Sequence, residues 1–335
     1  IPFALMELKP DAPMAVMADG ALSPIDAAYF MPSLNTYLGK LPTRRPIALN
    51  VKAGGSLTSL NVAKLKVDVP HVLSLEAHGD IRNPLDMKKL QGNLAFDANV
   101  SGPATIDRFI PEKGFALPHL SLKGTASAEP GQTYSADFSL LSDAGDAIGN
   151  GRVSLTAENY HADIDLNRLD VGRFVPDLGI GTVSAHVLAD GAGFNPSKPG
   201  AHTDAHVDLV SAVYKGYDYR DIRLDASLAA GQYEVHLDSP DPQLLLTFDG
   251  FGTIAEDDYT FDLRARIRHA DLQALGLVET ICSGNGDIYI KGSASPGRWL
   301  YDVDLQAENV DWNMPDGYIH LPQGLTANIL STPTS

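Results

Sequence analysis

The sequence contains a single cysteine, Cys282, among its 335 residues. One cysteine excludes an internal disulfide and any metal site built from several cysteines. Cys282 follows a short turn and precedes a predicted strand. A small, partly buried apolar side chain is a better interpretation there than a reactive nucleophile.

Basic residues are also scarce. Lys and Arg number 25 against 42 Asp and Glu, which gives a formal net charge of −17, and the basic residues form no run. Because nucleic-acid binding needs a positive surface, nucleic acid is excluded as a partner. The negative charge favours solubility and repels the chain from anionic bilayer surfaces.

Long apolar runs and catalytic motifs are missing as well. No apolar stretch reaches the roughly 18 residues that a membrane helix needs, and no signal peptide is present at Ile1. We therefore expect a fragment of a longer protein, with any membrane anchor outside it. No GxSxG, HExxH, P-loop or strand-linked GxGxxG motif occurs, so we predict a protein that is not an enzyme, has no catalytic residues and needs no cofactor.

What the sequence does contain is alternation with a period of two. In residues 259–267 the apolar side chains fall on one face, opposite Thr260, Asp262, Arg264 and Arg266, and residues 299–307 repeat the pattern. Such alternation is typical of a strand with one solvated face. Strands recur about every 8 to 12 residues, and no helical pattern is long enough for a β-α-β crossover. The prediction is an all-β, antiparallel fold.

Short turns punctuate these strands. In residues 167–176 an apolar residue is followed by Asp170, a few helix-compatible residues and Pro176, which predicts a one-turn helix with Asp170 as its N-cap. Imperfect copies of this pattern predict further helix caps at Asp26, Asp86, Asp107 and Asp271. The repeat predicts one continuous array over residues 1–335, with sub-units 1–104, 105–168, 169–268 and 269–335.

Two acidic stretches have alternative interpretations. His202, Asp204, His206 and Asp208 share one side of a predicted strand and could hold a transition metal. A solvated polar face is favoured, because other strands carry equally polar faces without metal ligands. Residues 238–243 lack the ligand spacing of a calcium loop and are interpreted as a solvated loop. No metal site is therefore predicted.

The combination of Leu-Asp-x-x-x-Leu/Phe turns, amphipathic strands and Gly-x-x-small junctions resembles the AsmA-like and TamB family of Gram-negative envelope proteins. Residues 79–86 and 214–224 carry phrases of the same kind. The resemblance implies a periplasmic, elongated and strongly curved antiparallel sheet, a β-groove, with short one-turn helices between strand sets. It also implies an apolar concave face that holds phospholipid acyl chains.

The resemblance further implies a role in phospholipid transport or outer-membrane biogenesis. The full-length protein would be anchored in the inner membrane, and an outer-membrane β-barrel assembly protein is an implied partner. The residues expected to line the lipid groove are Ile164, Leu166, Val207, Leu224, Val235, Phe261, Leu263, Tyr301 and Val303.

Alternation alone fits a second architecture equally well. In a closed β-sandwich the same apolar residues would pack against another sheet. The alternative function is then a structural or adhesive array that binds protein or glycan. Exposure of the apolar face distinguishes the two.

Overall fold

A computed structural model describes residues 9–23, 45–84, 86–106, 116–256, 258–295, 297 and 300–331. The described strands form an antiparallel sheet of nineteen strands. The helices are short, and the all-β prediction is confirmed. None of the described helices is long and apolar enough to cross a membrane.

The chain divides into two compact units. The first comprises residues 1–156 and 168–178, and the second comprises residues 157–167 and 179–335. The predicted division into four sub-units stays a prediction.

The part of the first unit that the structure describes contains eight strands in sequential order, each paired with the next. Its described residues also form two one-turn helices and a 3-10 turn at Pro176–Leu178. The strands are β1 (Met14–Leu22), β2 (Ile47–Gly55), β3 (Ser59–Val69), β4 (Leu73–Arg82), β5 (Gln91–Val100), β6 (Leu120–Glu129), β7 (Thr133–Ser142) and β8 (Gly145–Ser154), and the helices are α1 (Pro103–Ile106) and α2 (Val171–Phe174).

Most of β9 and all the remaining strands belong to the second unit. They are β9 (Asn159–Asp170), β10 (Ile180–Ala192), β11 (His202–Tyr214), β12 (Tyr217–Ala229), β13 (Gln232–Asp241), β14 (Leu244–Ala255), β15 (Asp258–Asp271), β16 (Ser283–Ser295), β17 (Leu300–Met314), β18 (Gly317–Leu321) and β19 (Leu325–Ser331). Each strand pairs with the next as far as β17, which pairs with both β18 and β19.

Tight turns impose this sequential order. Lys215 and Gly216 join β11 to β12 and both have positive φ, 48° and 85°. Ala230 and Gly231 join β12 to β13 with φ of 50° and 78°. Two consecutive left-handed residues form the turn whose twist matches that of an antiparallel hairpin. Each strand is thus returned directly alongside the one before it.

Most buried side chains lie near strand ends. Examples in the first unit are Val69, Val72, Val100 and Leu120. There the carbonyl of Val72 accepts hydrogen bonds from the backbone N–H groups of Ser101 and Gly102, both at 3.0 Å. The turn after β3 is therefore tied to the segment that leaves β5.

A second buried cluster lies at one end of β12 and β13. The carboxylate of Asp241, only 2% exposed, accepts hydrogen bonds from the Tyr217 hydroxyl at 2.6 Å and from the backbone N–H groups of Arg220 and Gln243 at 3.0 and 2.8 Å. Burial, followed by the Asp241 carboxylate, raises the pKa of Tyr217 to about 12. The interpretation of residues 238–243 as a solvated loop is wrong for Asp241, because its side chain supplies acceptors to three donors beside it.

Two of the predicted caps, Asp86 and Asp271, accept hydrogen bonds from nearby backbone N–H groups. Asp271 Oδ1 accepts from the backbone N–H groups of Gln273 and Ala274 at 3.1 and 2.9 Å, and Asp86 Oδ1 accepts from that of Lys88 at 3.1 Å. Both stabilise turns rather than helices. Asp26 and Asp107 lie outside the described residues.

The prediction that the Asp170 side chain caps a helix is wrong. Helix α2 follows Asp170 as predicted, but the Asp170 side chain makes no capping hydrogen bond. Asp170 is the last residue of β9, with φ −76° and ψ 89°, and its N–H donates to the carbonyl of Ala144 at 2.6 Å. The backbone is held by the neighbouring chain, which leaves the carboxylate away from the N–H groups of the helix.

These two aspartates give a matched test. We expect Asp271→Ala to lower the free energy of unfolding by about 1 kcal/mol, because two backbone donors lose their acceptor. Asp170→Ala should cost clearly less. Urea denaturation of both variants checks this, and equal losses would contradict the assignment of the caps.

Candidate functional site

The second unit carries one continuous apolar face. Strand pairing places cross-strand partners on the same side of a sheet, and the registers of β10–β17 and β19 join apolar residues into a single row. That row, defined here as the apolar lane, consists of Val187, Val207, Leu224, Leu237, Phe248, Ala265, Ile288, Ala307 and Leu325, together with the flanking residues of the same face. At about 4.8 Å per strand it extends for roughly 40 Å.

The structure brings all of the predicted groove residues to this face. Leu263 lies opposite Gly250 and Ile290, and Val303 lies opposite Gly292 and Ile329. On β9 the Tyr160 hydroxyl lies 2.5 Å from the hydroxyl of Thr203, which is on the apolar face. Alternate residues of a strand share a face, so Ile164 and Leu166 lie on the apolar face with Tyr160. The remaining members are Val207, Leu224, Val235, Phe261 and Tyr301.

Every predicted groove residue is half-buried, and none is fully buried. Facing positions in a closed sandwich are enclosed by a second layer and are buried. Strand β12 makes the contrast visible, because Ile222, Leu224 and Leu228 are half-buried while the intervening Arg223 and Asp225 are exposed. The burial pattern therefore favours an open apolar face over the sandwich alternative in this unit.

Glycines let aromatic rings lie close to the backbone on this face. A Cβ on Gly252 would lie 2.6 Å from Cε1 of Tyr233 and would also meet the carbonyl oxygen of Thr260. A Cβ on Gly191 would overlap the ring of Tyr160. The rings of Tyr233 and Tyr160 can therefore lie flat against the backbone of the neighbouring strand.

The opposite face of the second unit is polar, and histidine–carboxylate pairs occupy its centre. His206 contacts Asp225 through Nδ1 at 2.6 Å and Asp208 through Nε2 at 3.0 Å, and His236 Nδ1 lies 2.7 Å from Asp249. Similar pairs join His161 to Asp190 and His186 to Asp163. These contacts are solvent-accessible, so each contributes little to stability by itself.

The carboxylates favour the charged imidazolium. A hydrogen bond to Asp225, and a second to Asp208, raise the pKa of His206 above its usual 6.5. The hydrogen bond to Asp249 raises the pKa of His236 in the same direction. Across the described ranges, no three His, Cys, Asp or Glu side chains form a group that could hold a metal ion. His206 is engaged by carboxylates on both ring nitrogens, which fits the solvated-face interpretation of the 202–208 motif.

Cys282 is a free, half-buried thiol. Its carbonyl accepts the backbone N–H of Leu272 at 2.8 Å and helps close the loop after β15. The backbone of Cys282 thus has a structural role in this loop.

The glycine–aromatic contact predicts a local packing defect. Gly252→Ala should lower the free energy of unfolding by about 1 to 3 kcal/mol, because the methyl group has no room beside Tyr233 and Thr260. Gly20→Ala is the control, since a Cβ there meets no atom within 4 Å. Urea midpoints measure both, and a comparable loss at Gly20 would contradict the packing explanation.

The histidine pairs predict a pH dependence. Because the folded-state pKa values of His206 and His236 are raised, their contribution to stability is complete below the usual pKa and is lost as pH rises through the folded value. The urea midpoint should therefore fall as the pH rises above about 6.5, the usual histidine pKa. A double variant, His206→Gln with His236→Gln, should reduce this fall. Histidine ring-proton titration by NMR that placed both pKa values at or below 6.5 would contradict the prediction.

Three comparisons with known proteins were negative. No protein-family model matches the chain, and neither a curated protein nor a solved structure gives a significant match. The likeness to AsmA-like and TamB proteins rests on the sequence pattern and stays a prediction.

Proposed function

We propose that the chain is a non-enzymatic segment of a lipid-conducting protein, and that acyl chains bind along the apolar lane. The observation that carries this proposal is the unbroken apolar register through β10–β17 and β19, combined with half-buried rather than buried side chains. Exposed contiguous apolar surfaces of this extent mark binding surfaces, since water is poorly accommodated on them.

The physical basis of transport would be passive. Covering apolar surface is worth about 25 cal/mol per Å² wherever it occurs along the lane. Because Val, Leu, Ile and Phe side chains succeed one another from strand to strand, an acyl chain would exchange similar contacts as it moves. A nearly level free-energy profile permits sliding without a bound intermediate that traps the lipid.

The lane would act as an open surface rather than a closed cavity. The hollows among the described residues of β10–β19 include three that are lined largely by polar-face side chains. Head groups would therefore remain in water while acyl chains lie against the apolar side. The exposed acidic and basic side chains of the opposite face would keep that side solvated.

The proposed cellular setting rests on the sequence resemblance to AsmA-like and TamB proteins. We place the protein in the periplasm, with the full-length protein anchored in the inner membrane and the lipid path serving phospholipid transport or outer-membrane assembly. An outer-membrane assembly protein would be the partner at the far end of that path.

Photocrosslinking tests the proposal with matched positions. A photoreactive amino acid at Leu224 or Val303 should form lipid adducts when the purified chain is incubated with vesicles of phosphatidylethanolamine and phosphatidylglycerol. The same group at Arg223 or Asp302, one residue away on the exposed polar face, should not.

A second measurement uses charge. Leu224→Asp combined with Val303→Asp should reduce lipid retention by about fivefold or more, since charged groups in the lane are costly to cover. Arg223→Asp with Asp302→Asn is the control. In the photocrosslinking experiment, adducts at all four positions, or at none of them, would overturn the proposal.

A further inference from the structure

Two adjoining hollows lie on the polar face of β14, β15, β16, β17 and β19. Their volumes are about 620 and 410 Å³, and they share Asp262, Lys291 and Asp304. Most of their lining side chains lie on the face opposite the apolar lane, although Phe261, Ile290 and Leu305 of the apolar face also contribute to the linings. We define the polar hollow as these two depressions together.

Two cross-strand rows of polar residues line the larger depression, together with Ile290, Leu305 and Ala327 from the row between them. Every residue in both rows carries a hydrogen-bonding side chain, and the two rows span four adjacent strands, a length of about 14 Å. The first row is Arg264, Tyr289, Gln306 and Thr326, and the second is Asp262, Lys291, Asp304 and Asn328. An elongated polar ligand would meet donors and acceptors along its whole length.

The charges in these rows balance. Arg264 and Lys291 face Asp262 and Asp304, and Asp302 in the smaller depression leaves the whole polar hollow with one carboxylate in excess. The chain as a whole carries a net charge of −17. A site for an anion would show an excess of basic groups, and a site for a cation would show an excess of acidic ones. An excess of one carboxylate is small, so the nearly neutral lining fits an uncharged ligand that is rich in hydroxyl groups.

Several polar groups of these rows are available to such a ligand. The hydroxyl groups of Tyr289 and Thr326 make no hydrogen bond with any described residue, and Arg264 uses Nε for Asp262 at 3.3 Å. Lys291 has only a long ion pair, 3.8 Å, with Asp262 among the described residues. The polar-face histidines of β11 and β13 differ, because His206 and His236 are already held by carboxylates.

Aromatic side chains complete the surface. Tyr289, which is half-buried, lines the larger depression, and Phe251, which is 39% exposed on this polar face, lines the smaller one. An aromatic ring presents a negative face, which attracts the slightly positive C–H groups on the flat side of a pyranose ring. Hydroxyl groups around the rim of the sugar would meet the polar rows.

We propose that the polar hollow binds a short, uncharged oligosaccharide lying across β15, β16, β17 and β19. The combination of nearly balanced charge, available donors and acceptors, the exposed Phe251 ring and the half-buried Tyr289 ring matches the chemistry of a glycan. The same protein would then contact lipid on one face and a saccharide chain on the other.

Saturation-transfer NMR on the full chain tests this proposal, with chitotriose and maltotriose as probes. At least one probe should receive saturation from the wild-type protein. Tyr289→Ala should weaken its binding by about tenfold, whereas Tyr289→Phe should retain most of it because the ring remains. Tyr259→Ala is the matched control, since Tyr259 lies on β15 but on the apolar side.

Gln306→Ala provides a second test of the hollow if Tyr289→Ala does not fold, as judged by circular dichroism, and it should also weaken binding. The proposal is overturned by an absence of transfer to both probes at millimolar concentration, or by equal effects of Tyr259→Ala and Tyr289→Ala. Inorganic phosphate that displaces the saccharide and loses its effect in Lys291→Gln would instead identify an anion site. None of these outcomes depends on lipid binding.

Discussion

The antiparallel hydrogen-bonding register is the constraint on which the rest of this structure depends. Paired residues in neighbouring strands share a face, so one unmatched residue would exchange the apolar and polar sides of every strand beyond it. Strand β3 contains such an extra residue between Val62 and Leu65, but β2 and β4 both accommodate it. Beyond the bulge, Leu65 is again paired with apolar residues, Val51 on β2 and Ala77 on β4, so the apolar surface continues across it.

The sequence reveals most of this order because the strand period is read directly from side-chain polarity. Phe261 and Leu263 could be assigned to one face without knowledge of their partners. The alternation also breaks between Val62 and Leu65, a signal from which the bulge could have been predicted. Strand β1 is harder, because Ala15, Ala18 and Ala21 give it little polarity contrast.

Long-range partners explain what the sequence does not reveal. Asp241 lies in a Pro-flanked acidic segment that is typical of a solvated loop, yet the donors that allow its burial come from Tyr217 and Arg220, more than twenty residues away. Asp170 has the local sequence of a cap, but a backbone contact to Ala144 sets its conformation. The polar hollow is equally hidden, since its rows assemble residues from four strands and no single strand contains the pattern.

The sequential strand order has a consequence for how the protein forms. Nearly all pairings join strands that are adjacent in the chain, so each new hairpin needs only a short loop to close before it gains its hydrogen bonds. Assembly can then proceed strand by strand from an existing edge, as in repeat proteins, without a distant segment having to arrive first. A chain emerging in one direction could use each completed strand as the template for the next.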